Sequence, residues 1–256
     1  MGAADGSMGL AGKGVLVIGA SRGIGAATAE LLGRLGARLV LASRDTPALD
    51  AVARRISDAG GTASTVELDM LDLGSVKSAV SIAADRLGGL DVAVNNAGSA
   101  HPLTPFHDIT ADMFDADCGI NLRGALVAMQ CEVRAMLTSG SGSIVNVGSA
   151  SSLIGSGRLS VYAATKHGLL GLTKSAAVEY ARQNIRINLV APGPTLTDML
   201  VGEEALKRIT PMGRAAEPGE IAEAVAWLAS DLSSFVTGIA LPVDGGLTIS
   251  ATRSGG

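Results

Sequence analysis

Short aliphatic runs alternate with longer segments of helical periodicity along almost all of this 256-residue chain, and this alternation limits the fold more than any other feature. Runs rich in Val, Ile, Leu and Ala are typical of strands that are buried on both faces. Strands that alternate with helices form parallel sheets through right-handed crossovers. The predicted strands cover residues 15–18, 38–42, 63–68, 92–95, 143–147, 186–190 and 239–243. The sequence therefore predicts an α/β fold, a doubly wound sheet of about seven parallel strands with helices on both faces.

The segments between these strands carry apolar residues at mixed spacings of three and four, as amphipathic helices do. They cover residues 24–35, 47–59, 73–87, 110–137, 161–180 and 217–228, and residues 195–214 form the main irregular insertion. Aromatic residues make up only 2% of the chain, so the core must consist of small aliphatic side chains. Because no repeat, linker or compositional break divides the chain, we expect a single domain over residues 1–256, with a loose tail at residues 1–11.

Charge and cysteine content narrow the class of protein. The net charge of −4 and the absence of a long basic run argue against a nucleic-acid or membrane-surface partner. No apolar run of about 18 residues and no signal-like start is present. Cys118 and Cys131 lack the spacing of a zinc site or a disulfide framework. We expect a cytoplasmic protein that acts on a small molecule and binds no metal.

The first predicted strand leads into a glycine-rich turn that opens a helix. Gly19, Gly23 and Gly25 follow the spacing GxxxGxG. Glycines in such a turn permit a tight bend, a close approach of the backbone to a pyrophosphate and close packing of the helix, whose N-terminus attracts phosphate. The strand, turn and helix together indicate a Rossmann-type dinucleotide site, although a glycine turn alone is a weak signal.

Tyr162 and Lys166 lie four residues apart on a predicted helix and therefore share one face. A tyrosine with a pKa of about 10 exchanges protons poorly near pH 7 unless a neighbouring cation stabilises its phenolate. Lys166 is placed to do so, since a unit charge at about 4 Å contributes roughly 4 kcal/mol at an effective dielectric of about 20. Ser149 follows the strand just upstream. The alternative is a surface tyrosine beside a solvated lysine.

Three further motifs lie between or after the glycine turn and the Tyr162/Lys166 pair. They are Asn95-Asn96-Ala97-Gly98, Asn121 and Pro192-Gly193. With the glycine turn and the Ser149, Tyr162 and Lys166 set, the chain resembles the classical short-chain dehydrogenase/reductases over about residues 12–248. It is similar to their 3-oxoacyl-reductase-like and carbonyl-reductase members.

The resemblance implies an oxidoreductase that interconverts a carbonyl and a secondary alcohol by hydride transfer with a nicotinamide. In it, Tyr162 is the general acid/base, and Lys166 lowers the pKa of Tyr162 and hydrogen-bonds the nicotinamide ribose. Ser149 hydrogen-bonds the substrate oxygen, and Asn121 holds a water that relays protons to Lys166. For Asn121 the alternative is a distortion or cap within a helix.

The second predicted strand bears on the choice of cofactor. The family's discriminating acid ends this strand, where the chain has Ser43 followed by Arg44. Arg44 and Arg22 would attract a ribose 2′-phosphate, because guanidinium groups donate paired hydrogen bonds and stay charged. The resemblance thus favours NADP(H), with NAD(H) as the alternative. Asp45 fits only the general spacing rule for a ribose-binding acid.

The resemblance assigns cofactor contacts around these arginines. Asp69 would contact the adenine, unless it caps a helix. The full set is Gly19, Ser21, Arg22, Gly23, Ile24, Gly25, Ser43, Arg44, Asp69, Met70, Asn95, Ala97, Gly98, Tyr162, Lys166, Pro192, Gly193, Thr195 and Thr197. One departure is Ile18, where the family often has Thr, so a hydrogen bond between the glycine turn and the Asn95–Gly98 turn is expected to be lost.

Two other functions compete with NADP(H)-dependent carbonyl reduction. An NAD-linked sugar or polyol dehydrogenase would use the same residues, and a non-catalytic nucleotide-binding protein would keep only the fold. The expected substrate is a modest ketone or secondary alcohol, since residues 99–107, 150–160 and 196–213 offer a mixed apolar and small-polar wall. The resemblance also implies a homotetramer.

Overall fold

A computed structural model describes residues 8–197 and 210–250 of the chain. Its centre is a seven-stranded, all-parallel sheet in the order β3-β2-β1-β4-β5-β6-β7. The strands are β1 (Gly14–Ile18), β2 (Arg38–Ser43), β3 (Thr62–Glu67), β4 (Val92–Asn95), β5 (Gly142–Val147), β6 (Ile185–Pro192) and β7 (Ala240–Val243). The predicted fold class and all seven predicted strands are confirmed.

Seven α-helices connect these strands in the described part of the chain. They are α1 (Gly23–Arg34), α2 (Thr46–Asp58), α3 (Leu73–Leu87), α4 (Ala111–Cys118), α5 (Ala125–Ser139), α6 (Ser160–Tyr180) and α7 (Pro218–Ala229). The predicted helical stretch over residues 110–137 is helical throughout from Ala111, but it is not a regular α-helix along its whole length. A π-helical segment, Gly119–Gly124, joins α4 to α5 and contains Asn121. Apolar periodicity did not reveal it, because a π turn accommodates about one extra residue without ending the helix.

Successive residues of the central strands pack into two separate apolar layers, one on each face of the sheet. On β1, Val15 and Val17 pack with α1, α2 and α7, whereas Leu16 and Ile18 pack with α3, α5 and α6. All five residues of β1 are buried. This two-sided burial is why the strands read as continuous aliphatic runs.

The strand order reverses between β1 and β4, and the carboxyl ends of both strands lie at one edge of the sheet. Such a reversal opens a crevice in which α/β proteins bind ligands. The glycine turn follows β1, the Asn95–Gly98 turn begins at the end of β4, Ser149 follows β5, and Pro192 ends β6. The topology therefore brings the predicted motifs to a single edge.

Three predictions involve residues that lie partly outside the described ranges: the loose tail, the single domain and the irregular insertion. Residues 1–7, most of the predicted tail, lie outside the described residues, but Leu10 is buried in the layer of α1 and α2. The single-domain prediction stays a prediction. Of the predicted insertion at residues 195–214, residues 198–209 lie outside the described part, and Thr195 pairs with Ala216. No helix in the described ranges is long and apolar enough to cross a membrane.

Candidate active site

The glycine turn is shaped by contacts that exclude any side chain. Gly19 has a φ of +81°, and a Cβ there would lie 2.6 Å from the backbone nitrogen of Ala97. A Cβ on Gly25 would collide with the carbonyl oxygen of Gly19. In the described residues the N-cap residue Arg22 makes no side-chain cap hydrogen bond to α1, and the backbone N–H groups of a helix N-terminus attract an anion. The turn is thus a cradle of the kind that holds a dinucleotide phosphate.

The turn after β4 is tied directly to the glycine turn. Asn96 donates from Nδ2 to the Gly19 oxygen at 2.8 Å and from its backbone nitrogen to the Ile18 oxygen at 2.9 Å. The hydrogen bond expected to be missing because of Ile18 is therefore offset by two others. Ala97 lies against Gly19, as its small side chain allows.

Asn95 differs from its neighbours, because its side chain points into the core. Its Nδ2 donates to Glu132 Oε2 and to Asn146 Oδ1, both at 3.0 Å, and all three residues are buried. The structure does not bring this side chain to the crevice with the other predicted cofactor contacts. Asn95 supports the site from within the fold.

The loop after β6 closes the crevice on the opposite side. The Thr195 hydroxyl donates to the Gly193 oxygen at 3.0 Å, and Thr195 is buried. A Cβ on Gly23 would lie 3.0 Å from Thr197 Cγ2, so this loop reaches the glycine turn. The predicted contacts after β1, β4 and β6 therefore face one another across a narrow space.

The residues that follow β2 and β3 lie at the same edge. Ser43 is almost buried at the end of β2, while Arg44 is exposed. Asp69 accepts from the backbone nitrogen of Leu71 at 2.9 Å, whereas Asp72 caps α3. Helix capping therefore does not explain Asp69. The remaining predicted contacts at this edge are Ser21, Arg22 and Ile24, which are exposed or half-buried, and Met70, which is buried against Gly124.

Ser149, Tyr162 and Lys166 meet where β5 ends and α6 begins. Lys166 is 4% exposed and donates from Nζ to the Val147 oxygen at 3.0 Å. Its Nζ lies 5.6 Å from the centroid of the Tyr162 ring. Ser149 caps a short 3-10 turn, Ala150–Ser152, with its Oγ accepting from the backbone nitrogen of Ser151 at 3.1 Å. A solvated surface pair is excluded, because the lysine is buried.

The pKa values of this pair correct one expectation. Burial lowers the pKa of Lys166 to about 8, with Asp117 acting in the opposite direction. Burial also raises the pKa of Tyr162, Asp117 raises it further, and a hydrogen bond with Ser149 lowers it. The pKa of Tyr162 is thus shifted upward, opposite to the lowering expected from Lys166, and desolvation of the phenolate is the largest cause.

Asn121 lies in the π-helical segment and joins three parts of the site. Its Oδ1 accepts from the Ser99 nitrogen at 2.8 Å, and its Nδ2 donates to the Ser99 oxygen at 2.7 Å and to Thr165 Oγ1 at 3.2 Å. A Cβ on Gly98 would lie 3.3 Å both from Asn121 Oδ1 and from Lys166 Nζ. The two side chains thus converge over Gly98.

Two buried acids near these residues were missed by the sequence analysis. Asp117 is 2% exposed and accepts from Ser99 Oγ and from the His101 nitrogen, both at 3.2 Å. Glu132 is fully buried, and burial raises its pKa to about 7. The available signal was helical spacing, since Asp117 precedes Asn121 by four residues and shares its face in an ordinary helix.

The cysteines and His167 have structural surroundings. His167 Nδ1 lies 2.9 Å from the Ala163 oxygen on its own helix. Cys118 and Cys131 are half-buried free thiols, and burial next to Asp117 raises the pKa of Cys118. In the described ranges no group of three or more His, Cys, Asp or Glu side chains could hold a metal ion.

The arrangement combines a phosphate cradle with a buried proton donor. A nicotinamide dinucleotide fits it, because the glycines let a pyrophosphate approach the backbone and α1 begins at this turn with its N-terminus. Such a cofactor exchanges hydride, while a phenol and a hydroxyl beside it manage one proton and one oxygen. The site is therefore suited to reduction and oxidation at a carbonyl carbon.

Comparison with known proteins places the chain among enzymes of this kind. The family model described as enoyl-(acyl carrier protein) reductase matches residues 19–248. A cis-4-hydroxycyclohexanecarboxylate dehydrogenase of Sinomonas cyclohexanicum is 44% identical, with 91% of this chain and 95% of that protein covered. A cyclohexanol dehydrogenase of Acinetobacter sp. (strain SE19) is 39% identical, with coverages of 92% and 95%.

Solved structures show the same architecture together with cofactors. A 3-ketoacyl-(acyl-carrier-protein) reductase from Brucella melitensis complexed with NADH has a TM-score of 0.89 and 33% identity, covering 93% of this chain and 99% of that one. A putative NAD(P)-dependent gluconate 5-dehydrogenase from Beutenbergia cavernae with bound NADP has a TM-score of 0.90 and 34% identity, with coverages of 95% and 100%. Structural neighbours thus bind either nicotinamide dinucleotide.

Proposed function

The chain belongs to the short-chain dehydrogenase/reductase family of oxidoreductases, and from that premise we propose that it interconverts a carbonyl and a secondary alcohol with NADP(H), using Tyr162 as general acid/base. The observation that carries this proposal is the position of the buried Lys166 ammonium. It lies beside the Tyr162 ring and converges with Asn121 over Gly98, next to the glycine turn. A buried cation in that position has no evident structural use beyond one hydrogen bond to Val147.

The proton chemistry follows from these side chains. A nicotinamide cofactor, when bound, would supply the hydride for reduction. The Tyr162 phenol then gives its proton to the carbonyl oxygen, and the Ser149 hydroxyl donates a hydrogen bond to that oxygen as negative charge develops there. The phenol is protonated at neutral pH, which is the form that donates in reduction, and its raised pKa means that the proton leaves only as the substrate oxygen becomes basic. In oxidation the phenolate accepts the proton instead.

Lys166 and Asn121 restore the proton that Tyr162 gives up. Burial brings the pKa of Lys166 to about 8, so the ammonium can exchange a proton close to neutral pH. Asn121 Oδ1 lies on the same side of Gly98 as Lys166 Nζ and supports a water-mediated path to it. Its hydrogen bonds to both backbone groups of Ser99 fix its orientation.

NADP(H) is favoured by the charges around the end of β2. Ser43 replaces an acid there, and the exposed Arg44 can donate to a 2′-phosphate. Asp45 is directed elsewhere, since its Oδ1 caps α2 through the Ala48 nitrogen at 3.1 Å. An Asp in that role is less free to accept from a ribose hydroxyl.

The two relatives named above suggest cyclic substrates, because the compound in each name is a cyclohexane ring that carries a hydroxyl group. The segments predicted to contact substrate include three exposed apolar side chains, Leu103, Phe106 and Met212, which suit such a ring. We therefore extend the expected ketone or secondary alcohol to one on a six-membered ring.

A panel of carbonyl compounds with NADPH and NADH in parallel tests the proposal. Cyclohexanone, its 4-carboxylate, open-chain ketones and a 3-oxoacyl ester are the arms, and nicotinamide absorbance is the measurement. We expect turnover of at least one cyclic ketone and faster turnover with NADPH. Tight NADPH binding without turnover on any arm would favour a non-catalytic nucleotide-binding protein. Polyol oxidation that is faster with NAD⁺ than with NADP⁺, measured in a parallel assay, would favour the NAD-linked dehydrogenase.

The homotetramer and the cytoplasmic location belong to the same proposal. Helices α5 and α6 expose Leu126, Leu137 and Val178, as helices that meet in an oligomer do. Analytical ultracentrifugation of the purified chain measures the oligomeric state, and a monomer at micromolar concentration would contradict this part.

A further inference from the structure

Asp117 is a buried acid for which the proposed proton transfer gives no use. It lies on α4 with 2% of its surface exposed, although isolated carboxylates are seldom buried without a partner of opposite charge. Its two oxygens accept hydrogen bonds from neutral groups, Ser99 Oγ and the His101 backbone nitrogen, both at 3.2 Å. No ion pair to Asp117 occurs among the described residues. Its position therefore needs another explanation.

The groups bonded to Asp117 are those that hold Asn121. The Ser99 hydroxyl donates a hydrogen bond to Asp117, and both backbone groups of Ser99 are hydrogen-bonded to the Asn121 side chain. Asp117 thus fixes one side of the 99–101 segment, and Asn121 fixes the other. A shift of this segment would move Asn121 and Gly98 together.

The titratable groups around Asp117 come from three elements. Helix α6 contributes Tyr162 and Lys166, whose proton affinities both respond to the charge of Asp117. The segment after β4 contributes His101, whose Nδ1 donates to the Pro102 oxygen at 2.7 Å and whose Nε2 has no hydrogen-bond partner in the described ranges. Helix α4 itself contributes Asp115 and Cys118. Lys166 is the cation of this set.

We propose that Asp117 is a positioning residue of the active site, which clamps the Ser99–His101 segment against Asn121 and places a buried carboxylate in the neighbourhood of Tyr162 and Lys166. Its charge favours the protonated form of both groups. It therefore keeps the ammonium of Lys166 charged near neutral pH and holds the proton on Tyr162 until negative charge develops on the substrate oxygen. The inference rests on the proposed function for its catalytic meaning, but its electrostatic content can be measured without substrate.

The chain offers a direct probe, because Tyr162 and Tyr180 are its only tyrosines. In a Tyr180→Phe background, the ultraviolet absorbance of tyrosinate reports the titration of Tyr162 alone. We expect Asp117→Asn to lower the Tyr162 pKa by about one unit, since a buried charge at several ångströms changes a pKa by that order. Asp115→Asn is the matched control, because Asp115 is an exposed residue of the same helix, two residues from Asp117. It should leave the titration within a few tenths of a unit.

A second readout separates clamping from charge. In carbonyl reduction, activity falls as pH rises through the pKa of the donor, so Asp117→Asn should move that fall to lower pH by about one unit. Ser99→Ala removes one hydrogen bond of the clamp but no charge. It should lower kcat/KM several-fold while the Tyr162 pKa stays within a few tenths of a unit of the parent value.

Equal tyrosine pKa values in Asp117→Asn and Asp115→Asn would overturn the inference. If circular dichroism shows that Asp117→Asn does not fold, Asp117→Thr provides the same neutral comparison with a smaller polar side chain. A shifted titration in a protein that turns over no carbonyl compound would support the inference and contradict the proposed function. An unshifted titration in an active enzyme would do the reverse.

Discussion

The two halves of the sheet place their functional groups by different means. In the described residues up to 90, which carry the glycine turn, Thr28 and Ser43 are the only buried polar side chains. From residue 91 onward the buried polar set includes Asn95, Asp117, Asn121, Glu132, Asn146, Lys166 and Thr173. The first half shapes its site with backbone and glycine, and the second shapes its site with hydrogen-bonded side chains. Substitutions in the two halves should therefore fail in different ways.

Tyr162→Phe should show the difference between the two halves most strongly, because it should remove catalysis and leave cofactor binding intact. Loss of the phenolic proton should reduce kcat for carbonyl reduction by about 10²- to 10⁴-fold, the usual contribution of a general acid. NADPH affinity, measured by calorimetry, should change little because the glycine turn is untouched. Tyr180→Phe is the control, and substantial turnover by Tyr162→Phe would refute the role of Tyr162 as proton donor.

Gly19→Ala tests the half that relies on backbone. Its Cβ would meet Ala97 in a left-handed conformation, so we expect about 2–4 kcal/mol of destabilisation and at least about a tenfold loss of NADPH affinity. The measurements are urea unfolding and calorimetry. Gly60→Ala is matched, since Gly60 has a φ of +84° with no atom within 4 Å of a Cβ. It should cost only about 1 kcal/mol, and an equal loss at both sites would show that close contact is irrelevant.

Glu132→Gln tests whether the second half carries a pH-dependent stability that the first half lacks. The folded-state pKa of Glu132 is raised from 4.5 to about 7, so the folded state holds a proton that the unfolded state releases. Stability present below pH 4.5 is then lost as pH rises to about 7, by an amount on the order of 3 kcal/mol. Denaturant unfolding across this pH window should show the decline in the parent and a flatter profile in Glu132→Gln. Glu67→Gln, at an exposed residue of β3, should keep the decline, and identical profiles in all three proteins would contradict the prediction.

Arg44→Asp sharpens the comparison by testing a side chain in the first half. Loss of a charged donor, with a carboxylate in its place, should move the NADPH/NADH ratio of kcat/KM by about 10- to 100-fold toward NADH. The control is Arg54→Asp, the same charge change at an exposed position of α2. An unchanged ratio in Arg44→Asp would show that 2′-phosphate recognition lies elsewhere.

The first half was the more predictable from sequence. The bounds of β1 and β2 and the turn from Gly19 to Gly25 depend on local patterns, because continuous aliphatic runs and glycine spacing are set by near neighbours in the chain. The burial of Lys166, which excludes a solvated surface pair, could not be read from its spacing to Tyr162. It depends on the tertiary packing of α6, which brings the Lys166 ammonium to the Val147 oxygen at the end of β5.

The second half concealed features that arise only from tertiary contacts. Asn95 belongs to a cofactor-binding motif, yet its side chain turns inward because Glu132 and Asn146 meet it from α5 and β5. The π-helical segment leaves the apolar pattern of the 110–137 stretch intact. Asp117 reads as a surface residue among other acids on α4, and its burial depends on the segment after β4.

The attachment of α6 to β5 has a consequence for how such a protein can change. Lys166 bonds the Val147 oxygen, and Thr173 accepts from Asn146 Nδ2 at 2.9 Å, so the helix is pinned to the strand at two points two turns, or about 10 Å, apart. Two hydrogen bonds at this spacing oppose both sliding of α6 along its axis and rotation about it. The position of Tyr162 is therefore set by hydrogen bonds in the protein interior. Loops at the mouth can be exchanged or lengthened without moving α6. Changes of substrate are therefore best tolerated in mouth loops outside the Ser99–His101 segment, which is bonded to Asn121 and Asp117.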